Sequence, residues 1–282
     1  MQLKFYTPDC FADGESFGAA TFGFVGSEDP AVPAAVEAPQ ELRGFAVSGT
    51  YAHCLASIPD GAWQAGIVLL GNKGGENAFV RALAEKTHAP LTGGAAAFRA
   101  PEHAGLITGR GQAAVFLIAD ERYDCEVLCE NIHHDILETC TLSFTDPRVI
   151  DRINGEDALT WLQARKARLG LAPEDFEHLT LTDSHGINAH LSRQGGNLLS
   201  GRDVAAQMTL RYVPADQVLP RMRAFYDDAD AVIFGCAGLK GILPGTLNTP
   251  GTGLFMFGEV CTAGGVSEFG NLMLSKLRLR RR

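Results

Sequence analysis

The chain has 282 residues, enough to bury a substantial core and to form two domains or one large one. Its 46% hydrophobic and 20% charged residues are ordinary for a globular protein. A formal net charge of −9 argues against a general binder of nucleic acid or anionic membrane, because an acidic surface gains nothing from counterion release.

Residues 1–44 are weakly patterned and carry four of the 13 prolines, which suits loops or short helices. The start, MQLKFYTPDCFADGE, has no basic region followed by an apolar stretch, and no apolar run is long enough to cross a bilayer, so a cytoplasmic location is expected. GFAVSGTYAHCLASI reads as a strand or strand pair, and AGIVLLGN (65–72) as a buried strand. ENAFVRALAEKTHA places Phe79, Leu83 and Ala84 at helical spacing, and APLTGGAAAF (89–98) reads as a strand entering a Gly-Gly turn. AGLITG and QAAVFLIAD suggest a hairpin with Gly-Arg-Gly at its turn.

Further along, RVIDRINGEDALTWLQARKARLG predicts a strand, a turn at Asn154-Gly155, and a helix ending at Gly170. Pro173 suggests the start of a short helix. Strands are expected from Asn188 through NLLSGRDVAAQMTLRYV, then a helix over Asp216–Tyr226 and closing strands. The alternation of strand, glycine turn and helix predicts an α/β fold with mixed sheets and flanking helices. The tail Lys276–Arg282, with five basic residues, reads as a solvated terminus.

Seven scattered cysteines predict reduced thiols rather than a disulfide framework. Cys125, Cys129 and His133 would share a helical face as metal or haem ligands, but the spacing fits no standard zinc pattern, and on a strand the cysteines are ordinary small apolar residues. Asp183, Ser184, His185 and His190 resemble a hydrolase set only in composition; no GxSxG is present, and a turn with a solvated histidine is the expected reading. Gly71-Asn-Lys-Gly-Gly lacks the spacing of a phosphate loop. Glu259, at the end of an apolar run beside glycines, is either a paired core charge or a ligand contact. Ten glycines between Phe234 and Leu272 mark a segment where backbone must be approached closely.

PLTGGAAAF, RVIDRINGEDALTWL, ADAVIFGCAGLKGIL, GLFMFGEV and FGNLMLSKL together resemble, in order, the motifs of the FIST domain family (F-box and intracellular signal transduction proteins). The resemblance runs from about Leu69 to the end and implies a FIST N-like domain over 1–145, divergent in 1–68, and a FIST C-like domain over 146–282, the two intertwined. It implies a cytoplasmic sensory protein whose small-molecule pocket is built from Gly93, Gly94, Cys236, Lys240, Gly258, Glu259 and Asn271. A ligand amine would suit Glu259. The arginine usual after the family's cysteine is absent, with Lys240 nearby, and Gly270 stands where a histidine precedes the asparagine, so the ligand is expected to differ. Output would pass to a separate kinase or cyclase. Two alternatives follow: a stand-alone enzyme using Cys236, Cys261 or Glu259 in the same pocket, and, because some members bind haem and sense nitric oxide, a haem protein using His133 or His134. A homo-oligomer is compatible with either.

Overall fold

A computed structural model describes residues 2–5, 9–10, 23–25, 34–37, 42–71, 74–95, 112–243, 250 and 252–282, with side chains from residue 42 onward except at 252 and 254. Strands β1 (Gln2–Phe5), β2 (Asp9–Cys10), β3 (Gly23–Val25) and β4 (Ala34–Glu37) come first; β1, β4 and β3 form a small sheet.

The first α/β block comprises β5 (Gly44–Gly49), α1 (Tyr51–Ser57), β6 (Ala65–Leu70), α2 (Glu76–Thr87), β7 (Leu91–Ala95), β8 (Ala113–Ile118) and β9 (Tyr123–Glu130). Half of GFAVSGTYAHCLASI is therefore helix, not strand. The Thr50 hydroxyl accepts the His53 N–H at 3.1 Å and caps α1, a short side-chain bond that outweighs β propensity. AGLITG lies outside the described residues. Gly93 and Gly94 sit inside β7 instead of at a turn. A β-carbon on Gly93 would lie 2.0 Å from the Val68 carbonyl oxygen, so this strand packs backbone against backbone where β6 runs parallel to it.

A contiguous antiparallel block follows: β10 (Asp135–Asp146), β11 (Val149–Ile153), β12 (Glu156–Asp157), α3 (Ala158–Leu169), β13 (Leu179–Thr182), β14 (Asn188–Gln194), β15 (Asn197–Ser200) and β16 (Gln207–Tyr212). β10 pairs with β16 on one side and β11 on the other, so β10, β16, β13, β14, β15 and β11 close on themselves as a small barrel. Its core contains Leu142, Ile153, Leu181, Leu191 and Leu210, sealed by Trp161 and Leu162 of α3. The Asp157 cap and the left-handed Gly170 bound α3 as the sequence predicts. Pro173 and Glu174 form a turn and not a helix. β10 carries the chain across residue 145, and the barrel keeps its core within residues 140–210.

The closing block is α4 (Ala215–Tyr226), β17 (Ala231–Cys236), α5 (Ala237–Gly241), β18 (Thr252–Met256), β19 (Glu259–Ala263), β20 (Val266–Gly270) and β21 (Leu274–Arg281). It completes sheets begun earlier: β20-β19-β7-β6-β8-β5 is one, β2-β18-β17-β21-β9 the other. The two sheets face each other. Ile67 and Leu69 of β6 meet Phe234, Met256 and Leu277 between them, while Val68 and Leu70, one residue out of phase, pack under α1 and α2. α4 and α5 cover the outer face of the second sheet. The result is a mixed α/β fold of four layers, helices outside and two sheets inside.

The basic tail is not the solvated terminus expected. Most of it forms β21, and Lys276 is buried, with Nζ donating to the Phe225 carbonyl oxygen at 2.5 Å and lying 3.1 Å from the Asp228 carboxylate. No helix among the described residues is long and apolar enough to cross a membrane.

Candidate functional site

Where β17 ends and the barrel meets the closing strands, a cleft of about 750 Å³ opens. Its lining combines apolar residues, Ile242, Met256, Phe257, Phe269 and Leu272, with polar ones, Glu76, Arg148, Asp175, Glu177, His190 and Asn271. Cys236, Ala237 and Gly238, at the junction of β17 and α5, line it as well. Cavities of this size and mixed lining suit a small organic molecule.

Cys236 is the last residue of a fully buried strand and the first before α5, a position where sheet geometry presents a side chain at the strand's carboxyl end. Burial pushes its thiol pKa well above the usual range, and the nearby Glu259 carboxyl pushes the same way. The main-chain N–H groups of Leu239, Leu272 and Gly238 act against both by favouring the thiolate. Leu272 has a left-handed φ of 54°, rare for a leucine, and Asn188 pins its carbonyl at 3.2 Å. Asn188 belongs to a buried polar knot: it exchanges hydrogen bonds with the Asn131 amide at 2.7 and 2.9 Å and accepts from the Thr182 hydroxyl at 2.7 Å.

Glu259 lies behind the cleft wall, with no exposed surface. Its strand neighbours are Gly94 and Gly270, whose lack of side chains leaves room for the carboxyl. Oε2 accepts the Met273 N–H at 3.1 Å; Oε1 has no hydrogen-bond partner of its own. Burial raises its pKa to about 8, with the Met273 N–H, the Cys236 thiol and the Gly258 N–H opposing, so it is the protonated acid at neutral pH. Gly258 is required where it stands, having φ of 103° and a would-be β-carbon 2.3 Å from the Phe269 ring.

Of the residues expected to line a pocket, Cys236, Gly258 and Asn271 do. Gly93, Gly94 and Glu259 form the layer beneath, and Lys240 points over the Phe255 ring, 5.6 Å from its centroid, outside the lining. Asn271 is 9% exposed, and its Oδ1 has no hydrogen-bond partner. Gly201 makes the space for that amide, since a β-carbon there would lie 2.5 Å from Oδ1.

Glu177 escaped the sequence reading, and His190 was named there only within a set read as a turn with a solvated histidine, whereas it stands on β14. The His190 Nε2 faces the Glu177 Oε1 at 3.7 Å, and both line the cleft. The histidine lowers the Glu177 pKa and keeps that carboxylate charged. Only the barrel's strand pairing brings them together, so nothing local in the sequence could have joined them. Ser184 and His185 are exposed in a turn ordered by Asp183 Oδ1, which accepts the His185 N–H at 2.8 Å.

The haem alternative does not fit the histidines. His133 is fully buried, its Nε2 lying 2.8 Å from the Glu177 carbonyl oxygen and its Nδ1 3.4 Å from the Asn188 amide nitrogen, and burial depresses its pKa to about 3. His134 is exposed beside Glu130 at 3.4 Å. Cys125 and Cys129 stand on β9, where Cys125 packs on the intersheet core and Cys129 against the Cys261 cluster. No group of three metal-capable side chains occurs among the described residues. All cysteines with described side chains are free thiols.

No protein-family model matches the chain, and no curated protein matches it.

Proposed function

We propose that the chain is a cytoplasmic small-molecule-binding protein of the FIST type, holding its ligand in the cleft between the barrel and the ends of β17 and β18. A separate signalling protein, such as a kinase or cyclase, would read the bound state. The observation that carries this reading is the cleft itself, about 750 Å³ lined by apolar and polar side chains together, Asn271 among them, a size and mixture that suit a small organic ligand. Asp175 and Glu177 favour a positively charged amine, while Met256, Phe257 and Phe269 suit an apolar body. Glu259 is not the group that meets the amine: it is buried behind the wall and uncharged below about pH 8.

Calorimetry of the full chain against amino acids and apolar primary amines tests this. Binding to wild type, weakened about tenfold or more in Asn271→Ala (about 1.4 kcal/mol) and little changed in Glu259→Gln, is the expected result. A panel that leaves wild type unaffected, or binds Asn271→Ala equally well, overturns it.

A further inference from the structure

We propose that Cys129 and Cys261 are a redox site, at which a hydroperoxide joins the two thiols into a disulfide that fastens the two inner sheets to each other. The site lies apart from the cleft lining and needs no ligand there.

The pleat of the strands aims both side chains into the space between the sheets. On β21, Leu277 and Leu279 face the other sheet, and their partners on β9 are Val127 and Cys125; one step along the same face, Ser275 stands opposite Cys129. The Ser275 hydroxyl marks the direction, bonding the Thr92 hydroxyl of β7 at 2.6 Å and donating to the Val260 carbonyl oxygen of β19 at 3.0 Å. On β19, Val260 packs under the helices with Val68 and Phe269, so Cys261 beside it points the opposite way, toward β9 and β21. There it shares one cluster with Cys129, Met273 and Ile187, and its thiol is in hydrogen-bonding contact with the Cys129 thiol and the Ser275 hydroxyl. Packed sheets ordinarily stand about 10 Å apart, whereas Cα atoms of β19 and β9 come within 8 Å of one another. Disulfides span Cα separations of about 4.4–6.8 Å, so only a place where two sheets pinch together can take one.

The two thiols divide the roles. Cys129 is partly exposed on an edge strand, where a small oxidant can reach it, and Cys261 is fully buried. Cys125 is also partly exposed on that strand and face, but its cluster holds no second cysteine among the described residues. The Cys129 sulfur attacks a peroxide oxygen: the S–O bond forms, the O–O bond breaks, and the departing oxygen takes the thiol proton and leaves as water or an alcohol. The Cys261 sulfur then attacks the sulfenic sulfur; the S–S bond forms, the S–O bond breaks, and hydroxide leaves with the Cys261 proton as water. Two thiols have lost two electrons and the peroxide has gained them. A dithiol reverses the bond by exchange. In a reducing compartment such a bond is transient and reports oxidant instead of holding the fold together. Because β19 begins at Glu259, next to the Gly258 that lines the cleft, the bond ties the strand behind the cleft to β9 of the first block.

The test reduces the full chain with dithiothreitol, removes the reductant, adds hydrogen peroxide, then alkylates in denaturant and digests without reduction for peptide mass spectrometry. Expected is a chain lighter by two hydrogens, with one cross-linked peptide joining Cys129 to Cys261, released by dithiothreitol and unchanged in Cys125→Ser. In Cys261→Ser the cross-link is lost and Cys129 goes on to the sulfinic acid. A chain unfolded in urea before oxidation pairs its cysteines without that preference. The oxidised protein unfolds at a higher urea concentration than the reduced one, because the bond closes a long loop in the unfolded chain. Both cysteines still open to alkylation after peroxide, or a cross-link to another cysteine or to a second chain, overturns the proposal. So does a lower urea midpoint on oxidation, which would mean that the sheets part to form the bond. The wild-type map decides the matter even where a variant fails to fold. Amine binding plays no part in the readout, so failure here leaves the reading of the cleft standing.

Discussion

The Asn188 side-chain amide reaches out of the barrel and donates to the Leu272 carbonyl oxygen at 3.2 Å, fixing a left-handed leucine at the mouth of the cleft. Through that one bond, the fold of the barrel sets the direction of a main-chain N–H beside Cys236 in the other part of the molecule.

Asn188→Ala should accordingly cost about 2–4 kcal/mol, since it leaves the Asn131 amide, the Thr182 hydroxyl and the Leu272 carbonyl without their partner. Urea denaturation at neutral pH measures the loss. Amine binding should weaken as well, and by more than Thr182→Val weakens it, because Thr182 touches the knot but not Leu272.

Arg202 provides a contrast between buried and exposed charge. Its Nη2 lies 2.8 Å from both Asp183 and Glu268, and all three side chains are nearly buried. Arg202→Met takes away the cation that pairs with Asp183 and leaves Glu268 with Arg81 alone, and should destabilise by about 3–5 kcal/mol. Arg148 pairs with Asp203 at 3.1 Å in solvent, and Arg148→Ala should change stability by no more than about 1 kcal/mol. Thermal melts of both variants compare the two.

Stability should depend on pH through two buried groups of opposite sign. His133 is held neutral down to about pH 3 when folded, against 6.5 when unfolded, so the unfolded chain binds more protons in that window and stability rises with pH until 6.5. Glu259 keeps its proton up to about pH 8 when folded, against 4.5 unfolded, so across that window stability falls as pH rises. Between 6.5 and 8 only Glu259 of this pair acts. Chemical denaturation across that interval should show a downward slope in wild type that is flattened in Glu259→Gln. A slope equal in both proteins would mean that the carboxyl ionises normally.

Gly93→Ala should prevent the close approach of β6 and β7 and lower stability by more than about 3 kcal/mol, because the added methyl meets the Val68 carbonyl and φ is 131°. Gly196→Ala, with nothing within 4 Å of the new atom, serves as the neutral control. Circular dichroism melts distinguish them.

Local chemistry was readable in the sequence where it is decided locally. The AGIVLL strand, the Asn154-Gly155 turn and the helix ending at Gly170 depend on neighbours a few residues away, and Cys236, Gly258 and Asn271 were singled out by the resemblance to family motifs within a glycine-dense segment. Gly93-Gly94 looked like a turn because glycine says only that a side chain is forbidden; that Val68 forbids it is visible only once β6 is alongside. Likewise, Glu177 and His190 meet through strand pairing, and Lys276 becomes a core residue because Asp228 and the Phe225 carbonyl are brought to it.

The order of strands also bears on how the protein is made. Glu126 of β9 is bonded to Arg278 of β21, 152 residues later, whereas the barrel uses one unbroken stretch of chain. On the ribosome the barrel can close as soon as its last strand emerges, while β9, an edge strand, waits for its one strand neighbour until β21 has followed the whole of the barrel. Cys236, Gly258 and Asn271 all follow the barrel in the chain, so the cleft cannot take shape until the closing strands have joined the sheets that the first block began.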